Sequence, residues 1–158
     1  IKWLTANMAA PSGGPLYKSL TLMFQKEVGE RIVAAPGSRT YGRLSVLSQF
    51  CCDTHIHFDL PPRAFIPAPK VTSCVVGLTP KSPPENAPAL RSIEQVTAAA
   101  FGQRRKMLRA SLKSLIPNPQ ALLESVQIDP TSRAESLSVD DFCRLARAME
   151  ESSPRSKG

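Results

Sequence analysis

Proline placement sets the limits of what this chain can fold into. Proline lacks an amide donor and has a fixed φ, so it is excluded from helix interiors and central strands. Most of the fifteen prolines in these 158 residues gather at Pro61–Pro69, Pro80–Pro88 and Pro117–Pro119. The middle cluster, Pro80-Lys-Ser-Pro-Pro-Glu-Asn-Ala-Pro88, can form no helix and lacks the apolar content of a strand. It reads as a stiff linker over 81–90 that separates residues 1–80 from residues 91–151, with 152–158 as a fraying tail. A 42% hydrophobic share supplies a sizeable core. No stretch approaches the ~20 apolar residues of a membrane span, and no leader pattern opens the chain, so the cytoplasm is the expected compartment.

Hydrophobic periodicity then places the elements. Ile1, Trp3 and Leu4 are already apolar, with no capping residue ahead of them. That is the start expected of a C-terminal piece of a longer polypeptide that enters this chain in mid-structure. A short helix near the start gives way to a loop at Pro11–Pro15. Leu20-Thr-Leu-Met-Phe24 is apolar enough to predict a central strand. Val28, Ile32 and Ala35 predict a one-sided helix that stops at Pro36-Gly37, and Leu44, Leu47 and Phe50 a second one, from Tyr41 to Cys51. The period then changes to two. Ile56, Phe58 and Leu60 alternate with His55, His57 and Asp59, and after a loop stiffened by Pro61, Pro62, Pro67 and Pro69 a second strand covers Val71–Leu78, predicting an antiparallel hairpin. Beyond the linker the spacing of apolar residues from Leu90 to Leu115 predicts one long helix, with Asp129-Pro130 and Ser138-Val-Asp-Asp141 as further helix starts. The class is α/β followed by α.

Charge is unevenly spread. Basic residues exceed acids by 20 to 13, but between Arg91 and Lys113 six basic residues meet one acid, while seven acids face three basic residues from Glu124 to Glu151. On the expected long helix, Arg105, Arg109 and Lys113 fall four apart and share a stripe that Arg104 and Lys106 widen. Such a ridge is either an ordinary solvated face or an anion-binding one, with nucleic acid the leading candidate. The four cysteines include adjacent Cys51 and Cys52 and no CxxC, so free thiols are expected. Cys51, Cys52, His55 and His57 lie close in sequence, but without a second ligand pair they make a poor zinc site. There is no GxSxG elbow, no P-loop and no GxGxxG.

Phe65 stands between Pro62 and Pro67 at the hairpin tip, flanked by Arg63 and Lys70. An aromatic there is either a core anchor or, between cations, a surface on which a single-stranded base stacks.

Several blocks, in order, resemble bacterial small-subunit (16S) ribosomal RNA adenine N6,N6-dimethyltransferases over nearly the whole chain. They are Leu22-Met-Phe-Gln-Lys-Glu-Val28, Tyr41-Gly-Arg-Leu-Ser-Val46, Pro61-Pro-Arg-Ala-Phe-Ile-Pro-Ala-Pro-Lys-Val71, Ala100-Phe-Gly-Gln-Arg-Arg-Lys-Met-Leu-Arg-Ala-Ser-Leu112, Ile128-Asp-Pro130 and Arg133-Ala-Glu135. The resemblance implies the C-terminal half of a Rossmann-like class I methyltransferase sheet ending in the hairpin, followed by a small helical RNA-binding domain. It implies S-adenosylmethionine as methyl donor, with the donor's glycine motif, its acidic ribose ligand and an Asn-Leu-Pro-Tyr motif all expected upstream of Ile1. This piece alone would then be inactive. It further implies Phe65 as the ring that packs on the target adenine. Lys26, Arg43, Arg63, Lys70, Arg104, Arg105, Lys106, Arg109 and Lys113 would approach ribosomal RNA, the partner being the small-subunit rRNA of a maturing 30S particle, bound by a monomer. Three other readings stay open: a non-catalytic rRNA-binding or ribosome-assembly module, a large-subunit rRNA adenine methyltransferase, and a DNA-binding helical protein.

Overall fold

The computed structural model describes residues 17–82 and 86–152. The expected first helix, the Pro11–Pro15 loop, the centre of the linker and nearly all of the tail lie outside them. Strand β1 (Leu20–Gln25) runs directly into helix α1 (Lys26–Val33), which is followed by α2 (Arg43–Cys51), β2 (Cys52–Leu60) and β3 (Ser73–Pro80). Helices α3 (Leu90–Gly102), α4 (Leu108–Ser111), α5 (Pro119–Ser125) and α6 (Val139–Ser152) complete the chain.

The hairpin of β2 and β3 forms as expected, but β3 is the centre of an antiparallel sheet in the order β1-β3-β2. Among the described residues β1 is therefore an edge, not the expected central strand. Its burial alternates, with Leu20, Leu22 and Phe24 half-buried opposite Leu78, Val76 and Cys74. Phe58 also departs from expectation. The register slips between Ile56 and Phe58, so His57 is the extra residue of a bulge and the alternation inverts. Ile56 faces the core opposite Val76, whereas Phe58 lies opposite Val75 on the outer face and is 55% exposed. On that outer face the His55 and His57 rings meet edge-on with centroids 4.2 Å apart. They lie over Gly77, where a Cβ would come within 2.5 Å of His55 Cε1 and 2.7 Å of His57 Nε2. A side chain at that position would have to push the exposed imidazoles aside.

The inner face of the sheet packs on α1 and α2. Gln49 of α2 closes the end of α1, its Nε2 donating to the carbonyls of Ile32 (3.0 Å) and Ala34 (2.8 Å). One contiguous apolar core runs from Ile32 and Val46 through Ile93 and Val96 to Phe142 and Leu145. Tyr41 meets Phe101 edge-on at 6.1 Å, and Phe101 meets Phe142 at 5.6 Å. Burial, with a smaller push from the charge of Asp141, raises the Tyr41 phenol to about 12. Cys51, Cys52 and Cys74 are buried free thiols, and desolvation pushes Cys51 up to about 12.

Local signals decide the helix ends. Ser138 and Asp141 form the expected box. The Ser138 amide donates to Asp141 Oδ2 (2.9 Å), and the Asp141 amide donates to Ser138 Oγ (3.1 Å). Asp129-Pro130 starts no helix. Asp129 Oδ1 instead accepts from the amide and the hydroxyl of Thr131, both at 2.8 Å, which closes a turn. The start comes earlier, where Asn118 caps α5 with Pro119 in its first turn. Likewise, the long helix expected over Leu90–Leu115 stops at Gly102. A turn follows, and Leu108 and Arg109 donate their amides to Ser132 (2.8 Å) and Pro130 (3.1 Å), acceptors outside any helix. Gln103-Arg-Arg-Lys106 offers no apolar side chain to hold a helical turn on the core.

Candidate nucleic-acid interface

The hairpin tip is built from prolines at both ends. Pro61 leads into a 3₁₀ turn, Pro62–Ala64, in which the amides of Ala64 and Phe65 donate to the carbonyls of Pro61 (3.0 Å) and Pro62 (3.2 Å). The backbone leaves it extended at Phe65, and the Ile66–Pro67 peptide is cis. Phe65 is partly exposed and belongs neither to the core nor to the apolar residues packed against it. Ile66 beside it is fully exposed. Arg63 and Lys70, two residues before and five after Phe65 in the chain, are both exposed.

The other expected site residues fall into separate groups. Lys26, at the first turn of α1, is ion-paired with Asp59 of β2. The Asp59 hydrogen bond, reinforced by its charge, holds the ammonium above the usual lysine range. Arg43 opens α2 and lines a polar cleft of about 600 Å³ together with Arg31, Arg39, Arg104, Glu27 and Glu30. Arg39 is a cleft residue that the sequence reading passed over. Its signal was the spacing Arg39-Thr-Tyr-Gly-Arg43, two guanidinium groups astride a glycine helix start. Arg109 and Lys113 line a different cavity, of about 430 Å³, with Asn118 and Gln120.

The expected ridge is thus broken. Arg105 and Lys106 lie on the turn after α3, Arg109 on α4 and Lys113 on the 3₁₀ turn that follows, so a single helical stripe does not form. Arg104 is bound on three sides. Its Nη2 donates to the carbonyls of Arg39 (2.7 Å) and Tyr41 (3.0 Å), and its Nε to Glu135 Oε2 (3.2 Å). The ion pairs of the described residues leave Arg43, Arg63, Lys70, Arg105, Lys106 and Lys113 without a carboxylate partner. Arg109 forms no direct pair, but its charge adds to the Thr131 hydrogen bonds that hold Asp129 below the usual carboxylate range. No helix among the described residues is long and apolar enough to cross a membrane.

A family model described as ribosomal RNA adenine dimethylase matches residues 2–151. The chain belongs to that family. It is 52% identical over 149 residues to a ribosomal RNA small subunit methyltransferase A of Dinoroseobacter shibae, covering 94% of this chain and 52% of that protein. To the protein of the same name from Xanthobacter autotrophicus it is 58% identical over 135 residues, covering 85% of this chain and 46% of the relative. The chain therefore spans about half the length of the curated relatives it matches. In fold it is similar to the crystal structure of a dimethyladenosine transferase from Plasmodium falciparum. The TM-score is 0.73 at 24% identity, over 90% of this chain and 59% of that one. A 23S rRNA methyltransferase, ErmE, shares the fold at a TM-score of 0.59 and 18% identity, over 87% of this chain and 57% of that one. The Rossmann-like methyltransferase fold expected from the resemblance is thereby borne out.

Proposed function

We propose that this chain is the substrate-side part of an S-adenosylmethionine-dependent rRNA adenine dimethyltransferase, which methylates N6 of two adjacent adenosines in small-subunit rRNA twice each. Family membership supports the reaction class. The observation that carries the reading of the site is Phe65, held partly exposed outside the core on a prolyl-stiffened tip whose Arg63 and Lys70 have no carboxylate partner among the described residues.

The chemistry asks more for position than for proton transfer. An exocyclic amine inside a base stack cannot meet a methyl donor in line, so the base is turned out and held. Phe65 supplies an aromatic face for that base, with stacking worth about 1–3 kcal/mol. The backbone turn at Pro61–Ala64 fixes the ring's approach before the RNA arrives, so less ordering is required on binding. Arg63 and Lys70 attract the phosphates on either side, and Arg43, Arg105, Lys106, Arg109 and Lys113 extend the contact away from the tip. The bound partner is small-subunit rRNA within a maturing particle, engaged by a single copy of the protein, with 1–80 presenting the tip and Arg43, and 91–151 presenting Arg105, Lys106, Arg109 and Lys113 across the linker.

The described residues do not by themselves fit the methyl donor. The passage from β1 into α1 runs from Gln25 straight to Lys26, and the one from β3 to α3 crosses the proline-rich linker; neither carries a glycine turn that would let a ligand approach the backbone. By this reading the described residues hold the RNA side of the reaction, and the chain by itself binds RNA without transferring methyl groups. The test is Phe65→Ala in a protein of the relatives' full length that carries this chain. Methyl transfer to small-subunit RNA should fall by about 5- to 150-fold, the range equivalent to 1–3 kcal/mol, with donor affinity unchanged. Undiminished turnover would refute the stacking role.

A further inference from the structure

Three segments far apart in sequence meet at Arg104. They are the turn between α1 and α2, the turn after α3, and the 3₁₀ turn Ala134–Ser136. The Arg104 guanidinium donates to the carbonyls of Arg39 (2.7 Å) and Tyr41 (3.0 Å) and to the carboxylate of Glu135 (3.2 Å). Glu135 in turn accepts the Gly37 amide at its own carbonyl (2.7 Å), so the contact is tied from both sides. A planar guanidinium with fixed donor directions suits three fixed acceptors, and the flexible point charge of a lysine does not. The next two residues, Arg105 and Lys106, have no such partners among the described residues.

We propose that Arg104 is a positioning residue and not a phosphate ligand. It locks the turn that carries Arg105 and Lys106 against the turn that leads into Arg43, so that cations from the two halves of the chain meet the RNA as one preorganised surface. Glu135 is the anchor of this clasp. The proposal rests on the RNA-binding reading above and goes beyond it by dividing the basic residues into those that touch RNA and one that holds them in place.

The competing arrangement makes the opposite forecast for Glu135. If Arg104 swings out to a phosphate, Glu135 is a competitor, and removing its charge should tighten binding to a polyanion. If Arg104 is a clasp, removing that charge loosens the surface and weakens binding although the protein has become more basic.

The experiment is a fluorescence anisotropy titration of this chain with a labelled RNA hairpin carrying two adjacent adenosines in its loop, repeated at several salt concentrations. Glu135→Gln should weaken binding by about two- to fivefold, the range of an exposed ion pair. The double variant with Arg104→Ala should bind no more weakly than Arg104→Ala alone. Unchanged or tighter binding by Glu135→Gln, or a loss that adds in full to that of Arg104→Ala, would overturn the proposal. Should circular dichroism find Glu135→Gln unfolded, Arg104→Lys decides the matter. A clasp loses as much affinity with lysine as with alanine, whereas a phosphate ligand retains most of it. If the unmodified chain showed no salt-dependent binding, the RNA reading itself would fall and the clasp with it. That failure is distinct from intact binding that is indifferent to Glu135.

Discussion

Helix α1 approaches the sheet closely enough for one hydrogen atom to matter. At Gly29 a Cβ would lie 2.2 Å from the sulfur of Cys74 and 3.2 Å from Cγ2 of Val76, and both side chains are completely buried on the central strand. Overpacking of this kind costs about 1–3 kcal/mol. Replacing a helical glycine by alanine returns about 0.5–1 kcal/mol in backbone entropy. Gly29→Ala should therefore destabilise the chain by up to about 2.5 kcal/mol net, lowering Tm by up to about 10 °C for a domain of this size. Cys74→Ala removes the offending sulfur, and the new Cβ would stand 3.9 Å from the Cβ of residue 74, an ordinary contact. In that background only the 3.2 Å approach to Val76 Cγ2 remains, so Gly29→Ala should cost much less than in the wild-type chain. Urea denaturation of the four proteins in the cycle should give a coupling of about 1–3 kcal/mol. If Gly29→Ala stabilised the wild-type chain, or had the same effect in both backgrounds, the close packing of α1 on β3 would be refuted.

Two other perturbations follow from one buried and one half-buried polar group. The Tyr41 side chain is fully buried and its hydroxyl has no hydrogen-bond partner among the described residues. Tyr41→Phe should raise stability by about 1 kcal/mol, and a loss of that size in thermal denaturation would reveal a partner. Asp141 is pushed up by burial, but hydrogen bonds from the Ser138 amide and hydroxyl and from Arg144 outweigh this and hold it below the usual carboxylate range. A depressed carboxylate stabilises the fold above its unfolded value and loses that contribution as pH falls through its lower folded value. Ser138→Ala should cost about 1 kcal/mol at neutral pH, and the gap to wild type should narrow as pH falls below the carboxylate range. A gap that stayed constant down to about pH 3 would exclude the linkage.

The parts of the fold legible in the sequence were those fixed by local chemistry. The stop at Pro36-Gly37, the hairpin around Pro61–Pro69 and the Ser138–Asp141 box depend on residues a few positions apart, and each formed where expected. The departures came from partners distant in sequence. Nothing in His55-Ile-His57 announces a bulge, because the bulge depends on how β2 lies against β3. The helix from Leu90 breaks after Gly102 because acceptors at Arg39, Tyr41, Pro130 and Ser132 capture the polar groups of the segment beyond it. A periodicity argument sees only the spacing of Phe101, Leu108 and Leu112 and carries the helix on. The same long-range capture removed Arg104 from the expected ridge and gave Arg105, Arg109 and Lys113 three different supports. The stiff tip that carries Phe65 was legible because its frame is local: the prolines that fix its backbone lie within four residues of it.

The most direct measurement compares the affinity of this chain for two RNA hairpins that differ only at one loop adenosine, replaced in the second by an abasic site. A ring that stacks on the unpaired base should favour the intact hairpin by about 5- to 150-fold, corresponding to 1–3 kcal/mol of stacking. In Phe65→Ala that preference should fall close to one, with the salt dependence of binding unchanged. An equal preference in both proteins, or none in the wild-type chain, would contradict a purine held against Phe65.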